Sequence, residues 1–383
     1  MKVDYFASSP KGDLRLEAED LGASFRIRPD QTHPTLTLRD YLDAVRDFVL
    51  QQAAHPLCRI LSERLHTPIT PGDLQGIRLR TEKHGALYHV TCVEPVMDDR
   101  PCKLAVSTAI SAPAQECLAR EEKRLMDLDR RFGFPFLPVP LLSGEVSCGA
   151  PGKAQPVRML LAEWFEDFHE WHLDSASEGA PPRVFLWDSV GGYRFATNAE
   201  SRRLFHEIAR VLTLYYDLDT FGQICSWHHA AGDFVVCTST TPLQVRLTTV
   251  RDYQPLSGLS PEAGIQPLVA MVYFFLNLLV RMRVDRKAGV GKPLWAGEWA
   301  VEAASAGFFD TLEEMRNAGR SLPAGIEEIR GILRSFSSDE FLSLHETVLD
   351  FAPEEDPADR AWIADHLEEH VATLRDAVRN ISV

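Results

Sequence analysis

Residues 224–253 read I-C-S-W-H-H-A-A-G-D-F-V-V-C-T-S-T-T-P-L-Q-V-R-L-T-T-V-R-D-Y. Two apolar runs, Phe234–Cys237 and Val245–Val250, flank the polar turn Thr-Ser-Thr-Thr-Pro, which is the pattern of a β-hairpin. His228, His229 and Asp233 enter the hairpin, and Arg251 and Asp252 leave it. Ionisable groups on loops at the ends of paired strands are frequent carriers of chemistry.

Upstream, a helix predicted to open at the capping box Thr197-Asn198-Ala199-Glu200 delivers the chain to this hairpin. Leu204, Ile208, Val211, Leu212 and Tyr215 share its apolar face. Downstream, helical periods cover 268–283, 298–318, 325–336, 338–351 and 358–380. After Trp164 the chain reads as mainly helical. Before it the pattern is one of strands. Ile77–Arg80 and Ala86–Val93 alternate about the turn Lys83-His84-Gly85, and Leu104–Ile110 follows as a third strand. A helix from Pro113 to about Arg131 comes next, with Glu121 and Glu122 one turn from Leu118 and Leu125. Gly144–Pro156 reads as a loop, and Arg158–Trp164 as a strand.

Residues 1–73 read as a mainly helical extension, with helical periods over 37–53 and 57–65. The expected fold is therefore α+β: a small antiparallel β-rich lobe at 74–162 and a larger helical lobe at 163–383 around the central hairpin. Clefts between such lobes are favoured ligand sites.

Composition narrows the function classes. The chain has 383 residues, 45% apolar and 25% charged, with a net charge of −15. That balance argues against a nucleic-acid surface, which needs clustered Lys and Arg. Seven scattered cysteines without a Cys-x-x-Cys fit reduced thiols in a cytoplasmic protein better than disulfides or structural zinc. The longest apolar run, Leu268–Val280, is too short for a bilayer and is expected to be a buried helix. His169-x-x-His172 with Glu166 invites a metal reading, but lacks the three or four converging ligands that zinc takes.

The order of elements between Leu74 and Phe351 resembles the protein-kinase-like fold, in its aminoglycoside and choline phosphotransferase branch. Lys83-His84-Gly85 resembles the turn folded over the phosphates. Leu104-Ala105-Val106-Ser107 resembles the strand that ends in a phosphate-binding lysine, and Glu121 or Glu122 falls where that lysine's partner stands. Leu160-Leu161-Ala162-Glu163-Trp164 resembles the strand and hinge that receive adenine. His228–Val236 resembles the catalytic loop, and Val245–Val250 the strand before a metal-binding acid. The resemblance implies ATP and Mg²⁺ as cofactors, with Lys83, Gly85, Lys103, Ser107, Glu121, Glu122 and Trp164 at the nucleotide and His228, Asp233 and Asp252 at the chemistry.

The departures imply a different outcome. Ser107 stands where the lysine belongs, with Lys103 four residues earlier. In one register Asp233 takes the metal-binding asparagine position and His228 replaces the catalytic aspartate. In the other, Gly232-Asp233-Phe234 matches the catalytic turn and Thr238 the asparagine. The first keeps strand and loop in phase. Thr248 or Thr249 replaces the second metal-binding acid, with Asp252 the nearest carboxylate. Phosphoryl transfer needs charge neutralisation, metal ligands and a base. The chain is thus expected to be a non-catalytic, pseudokinase-like protein binding a nucleotide, another small-molecule ligand or a protein partner. The alternative is a divergent ATP- and Mg²⁺-dependent phosphotransferase of a small hydroxylated molecule, in which Asp233 holds the metal. A metal-dependent hydrolase built around the histidines is a third, weaker reading.

Overall fold

The structure is a computed structural model. It describes all residues except 10, 11, 29, 30, 85, 86, 99, 100, 178, 189–191, 226, 228–232, 288–290, 352–356 and 381–383. The protein is mixed α+β, 45% helix and 27% strand. It divides into two compact units, Met1–Glu166 and Asp167–Val383.

The first unit contains, in order, β1 (Lys2–Ala7), β2 (Leu14–Arg15), α1 (Ala18–Leu21), β3 (Ser24–Arg28), β4 (Gln31–Thr37), α2 (Leu38–Val49) and α3 (His55–Leu65). It continues with β5 (Gly76–His84), β6 (His89–Val96), β7 (Leu104–Ala109), α4 (Ala112–Phe132), β8 (Pro140–Cys148) and β9 (Gln155–Glu163). One seven-stranded sheet has the order β2-β1-β5-β6-β7-β9-β8. Its pairs are antiparallel except β1 with β5, which run parallel with Lys2 opposite Gly76. A Cβ on Gly76 would meet the Lys2 carbonyl oxygen at 2.8 Å, so only glycine lets β1 approach this closely.

Residues 1–73 are not a separate body. α2 begins at a capping box, with Thr37 Oγ1 accepting the Asp40 N–H at 3.2 Å. Its apolar positions Tyr41, Val45 and Phe48 pack, with Leu57 and Leu61 of α3, onto Leu79, Val93, Leu104, Val106, Met159 and Leu161. Those six sit on one face of the sheet by cross-strand register. Tyr41 Oη lies 2.6 Å from Thr91 Oγ1 within this layer. Full burial of each large side chain contributes about 1.5–3 kcal/mol. The segment expected to be mainly helical also supplies four strands, two of which extend the sheet.

β8 and the start of β9 replace the two ends of the loop expected at 144–156, leaving 149–154 as the connection. β8 is an edge strand whose residues are mostly half-buried on both faces, so no clean alternation marks it in the sequence.

The second unit begins with β10 (His169–Asp174), β11 (Arg183–Asp188), β12 (Gly192–Phe195), α5 (Asn198–Leu214), β13 (Gln223–Cys225), β14 (Phe234–Cys237), β15 (Gln244–Leu247) and β16 (Asp252–Gln254). Then come α6 (Pro267–Arg281), β17 (Val284–Arg286), β18 (Pro293–Trp295), α7 (Glu298–Asn317), α8 (Ile326–Ser335), α9 (Ser338–Asp350), α10 (Pro357–Asp365) and α11 (Leu367–Asn380). The expected hairpin is β14–β15, with Phe234 opposite Leu247. It is not isolated: the sheet runs β12-β11-β10-β14-β15. The mainly helical reading after Trp164 missed β10–β12, although Trp171 and Leu173 alternate inward along β10. The segment read as one helix over 358–380 is interrupted at His366 between α10 and α11.

α6 carries the apolar run and is buried on most sides, with Phe275 against Phe308 and Phe309 of α7. Among the described residues no helix is long and apolar enough to cross a membrane.

Candidate functional site

The sequence-selected residues fall into two groups, one in each unit. In the second unit, β13 pairs with β16, placing Cys225 opposite Asp252, while β14 pairs with β15. Asp233 sits directly before β14 and is 1% exposed. Its main-chain carbonyl accepts the Thr248 N–H at 2.7 Å, which ties the entry of the hairpin to its exit. Its carboxylate is held by Arg251: Nη1 donates to Oδ2 and Nη2 to Oδ1, both at 2.6 Å. Bidentate guanidinium–carboxylate pairs are the strong, geometrically specific class of charged hydrogen bond. Arg251, which leaves the hairpin beside Asp252, is paired with Asp233 at the hairpin's entry.

Asp252 is half-buried, and its Oδ1 accepts the Tyr253 N–H at 2.9 Å. His228, with His229 and Gly232, lies outside the described residues. Thr249 is half-buried just after β15.

The strand β13 is positioned by a carboxylate that the sequence reading passed over. Asp217 is buried, accepting the Asp219 N–H at 2.9 Å on Oδ1 and the Thr220 hydroxyl at 2.6 Å on Oδ2. Tyr253 Oη donates to the Tyr215 carbonyl at 2.9 Å, and a Cβ on Gly222 would come 2.7 Å from the Tyr253 ring. The signal available was the Asp-x-x-Thr spacing of a side-chain-capped turn.

In the first unit, the face of the sheet opposite α2 carries the second group. Arg80, Cys92, Ala105 and Ala162 stand in one cross-strand row, and Val90, Ser107, Leu160 and Ser143 in the next. α4 packs against β7, β8 and β9. Glu122 accepts Ser143 Oγ at 2.5 Å and Arg158 Nη2 at 2.9 Å. Arg158, opposite Ala109, is the cation that the sequence reading missed, because only the third dimension brings β9 to the helix. Ser107 therefore shares a face with a helix carboxylate and an arginine two residues along the neighbouring strand from its own partner Leu160.

Glu121 is 3% exposed. Burial pushes the Tyr88 hydroxyl pKa well up, and the Glu121 carboxylate and Cys117 add to that rise. Lys103 Nζ lies 2.5 Å from Glu166 Oε1. Partial burial works against its charge, but the hydrogen bond and attraction of Glu166 outweigh it and raise its pKa. Trp164 has the Arg80 guanidinium 5.7 Å from its ring centroid. Lys83 lies in β5, and Gly85 falls outside the described residues.

The implied Mg²⁺ does not fit the described residues. Both Asp233 oxygens are engaged by a guanidinium, which would have to leave before a cation could enter. Among the described residues no group of three or more His, Cys, Asp or Glu is arranged to hold a metal ion. His169 and His172, three apart on β10, have their rings tilted against Trp187 and Phe185 respectively.

Compared with models of known protein families and with curated proteins, the sequence matches none.

Proposed function

We propose that this chain is a non-catalytic protein of the protein-kinase-like fold that binds a nucleotide or related metabolite on the α4 side of its first sheet, or a protein partner there. Strand order supports the fold: β5-β6-β7-β9-β8 is the order of that fold's small lobe, with α4 inserted between the third and fourth strands. The pairs β13–β16 and β14–β15 bracket residues 226–232, as the resemblance requires of a catalytic loop.

The observation that carries the non-catalytic reading is the Asp233–Arg251 pair. An arginine supplies the positive charge that a metal would bring, and it holds both oxygens a metal would need. Ser107 cannot neutralise a phosphate, and Lys103 is engaged by Glu166. A ligand bound here meets Ala105, Ser107 and Trp164, a mostly apolar lining that suits a flat ring.

A second reading, the phosphotransferase, is favoured by one observation. Arg158–Glu122 keeps a cation–carboxylate pair on the face where the family has its lysine and glutamate.

A thermal-shift titration with ATP, with and without Mg²⁺, together with ATP turnover, separates the two. The expected result is a concentration-dependent rise in midpoint that does not need Mg²⁺, with no turnover. Mg²⁺-dependent turnover that collapses in Asp233→Ala and survives in Asp339→Ala, a surface control, overturns the non-catalytic reading. An unchanged midpoint at millimolar ATP removes the nucleotide and leaves the protein partner.

A further inference from the structure

The second unit buries two imidazoles and a guanidinium among its last helices. His345, on α9, is 1% exposed, and its Nδ1 lies 2.8 Å from the Phe341 carbonyl oxygen. A carbonyl only accepts, so the ring proton sits on Nδ1, and Nε2 is bare. Among the described residues Nε2 has no hydrogen-bond partner, and neither nitrogen of His370 on α11 has one, with that ring 0% exposed. The two rings meet edge to face with centroids 5.0 Å apart. Trp295 lies against His370 at 6.2 Å and carries the Arg283 guanidinium 4.7 Å from its own centroid. Arg283 is 1% exposed and donates to the Ala296 carbonyl and to Glu369 Oε1, both at 2.8 Å.

α11 packs against α7, α8, α9 and α10, and several charges on these elements are engaged. Glu369 of α11 and Glu298 of α7 both act on Arg283. Asp359 of α10 is paired with Arg286 at 2.6 Å. From α8, Arg330 lies over the Phe309 ring and Arg334 donates to the Val378 carbonyl. Arg375 of α11 reaches Ser338 on α9, and His366 stacks on Trp295 and Trp362. Neutral, the His345 and His370 rings pack here as ordinary aromatics. Protonated, they would add two cations beside Arg283 where water is excluded.

We propose that His345 and His370 form a proton-operated latch on α11: the helix stays docked while both rings are neutral, and proton uptake releases it. Burial holds His345 down at about 4. Burial first, then the neighbouring His345 and Arg283, holds His370 well below the ordinary histidine value. A ring freed from this packing titrates near 6.5, roughly its ordinary value. Both docked-state values lie below that, so the docked state loses stability as pH falls from about 6.5 towards about 4. With two protons taken up, the opening equilibrium rises by up to about 100-fold per pH unit in that window.

Hydrogen exchange on the full chain between about pH 7.5 and about pH 5 tests this, with protection factors corrected for the intrinsic slowing of exchange. Peptides covering 367–380 are expected to lose protection by about tenfold or more below about pH 6.5, while α5 keeps its own. The double variant His345→Asn/His370→Leu is expected to abolish the step. Flat wild-type protection, the same loss in the variant, or an equal loss in α5 overturns the latch. Should the variant not fold, the imidazole C–H resonances of the wild type decide. Neither ring titrating above about pH 6 supports the latch, and either titrating at about 6.5 or higher overturns it.

Discussion

Asp233 and Arg251 are 18 residues apart and meet because the β14–β15 hairpin returns the chain to its starting point. Their inequality is informative. Asp233 is 1% exposed in its side chain, and Arg251 24%. Removing the arginine strands a buried carboxylate, whereas removing the carboxylate leaves a guanidinium able to turn to solvent. Arg251→Ala is therefore expected to cost about 3–5 kcal/mol in urea unfolding, and Asp233→Ala clearly less. The double variant should recover part of the loss, with a coupling of at least about 1.5 kcal/mol in the cycle. Additive losses would show that the pair does not act as a unit. Both residues were legible in the sequence as candidates, but their partnership was not. Hairpin register, which no single-residue property records, brings the two together. Arg158 was invisible for the same reason: its partner Glu122 lies 36 residues earlier, on a helix.

Among the elements, α5 and α7 form the closest helix pair. A Cβ on Gly307 would lie 2.3 Å from the His206 carbonyl oxygen, so the helices touch backbone to backbone. Across the seam run Arg202–Glu302, His206–Asp310 and Arg210–Glu314. Gly307→Ala must push the helices apart and is expected to destabilise by about 1–3 kcal/mol, read as a lowered urea midpoint. The hydrogen bond that His206 donates to Glu207 raises the His206 pKa, burial opposes it, and Asp310 adds to the rise. The folded value then exceeds the unfolded one. Its stabilisation is fully present below about 6.5 and is lost as pH rises through the folded value. Wild type minus His206→Gln should accordingly show a larger stability difference at about pH 6 than at about pH 8. A difference independent of pH would remove the charge from the account.

The helices were the legible elements, since periodicity survives one-sided burial. Two of the strands were not. β8 is half-buried on both faces, and β10 mixes His, Glu and Trp on a short run that reads equally as a connector.

At the scale of the molecule, boundaries are expected at 73/74 and 162/163, and the chain divides into compact units at 166/167. The role of the first 73 residues was not legible. Their helical periods were clear, but nothing in a period says which sheet the apolar stripe covers. It covers the back of β5–β9, so a chain lacking residues 1–73 should expose Leu79, Val93, Leu104, Val106, Met159 and Leu161 together. Such a contiguous patch is an aggregation surface. Residues 1–166 made alone are expected to be soluble with a cooperative melt, and residues 74–166 to be recovered only as aggregate. A soluble, cooperatively melting 74–166 fragment would return the amino-terminal segment to the rank of an appendage.

The position of α2 and α3 ahead of β5 in the chain also bears on synthesis. A ribosome releases the two helices before it makes β5 to β9, whose apolar face they cover. Each greasy strand from β5 onward therefore emerges next to a cover that already exists. The hazard of a half-made sheet, an apolar face open to other nascent chains, is met by the order of translation itself.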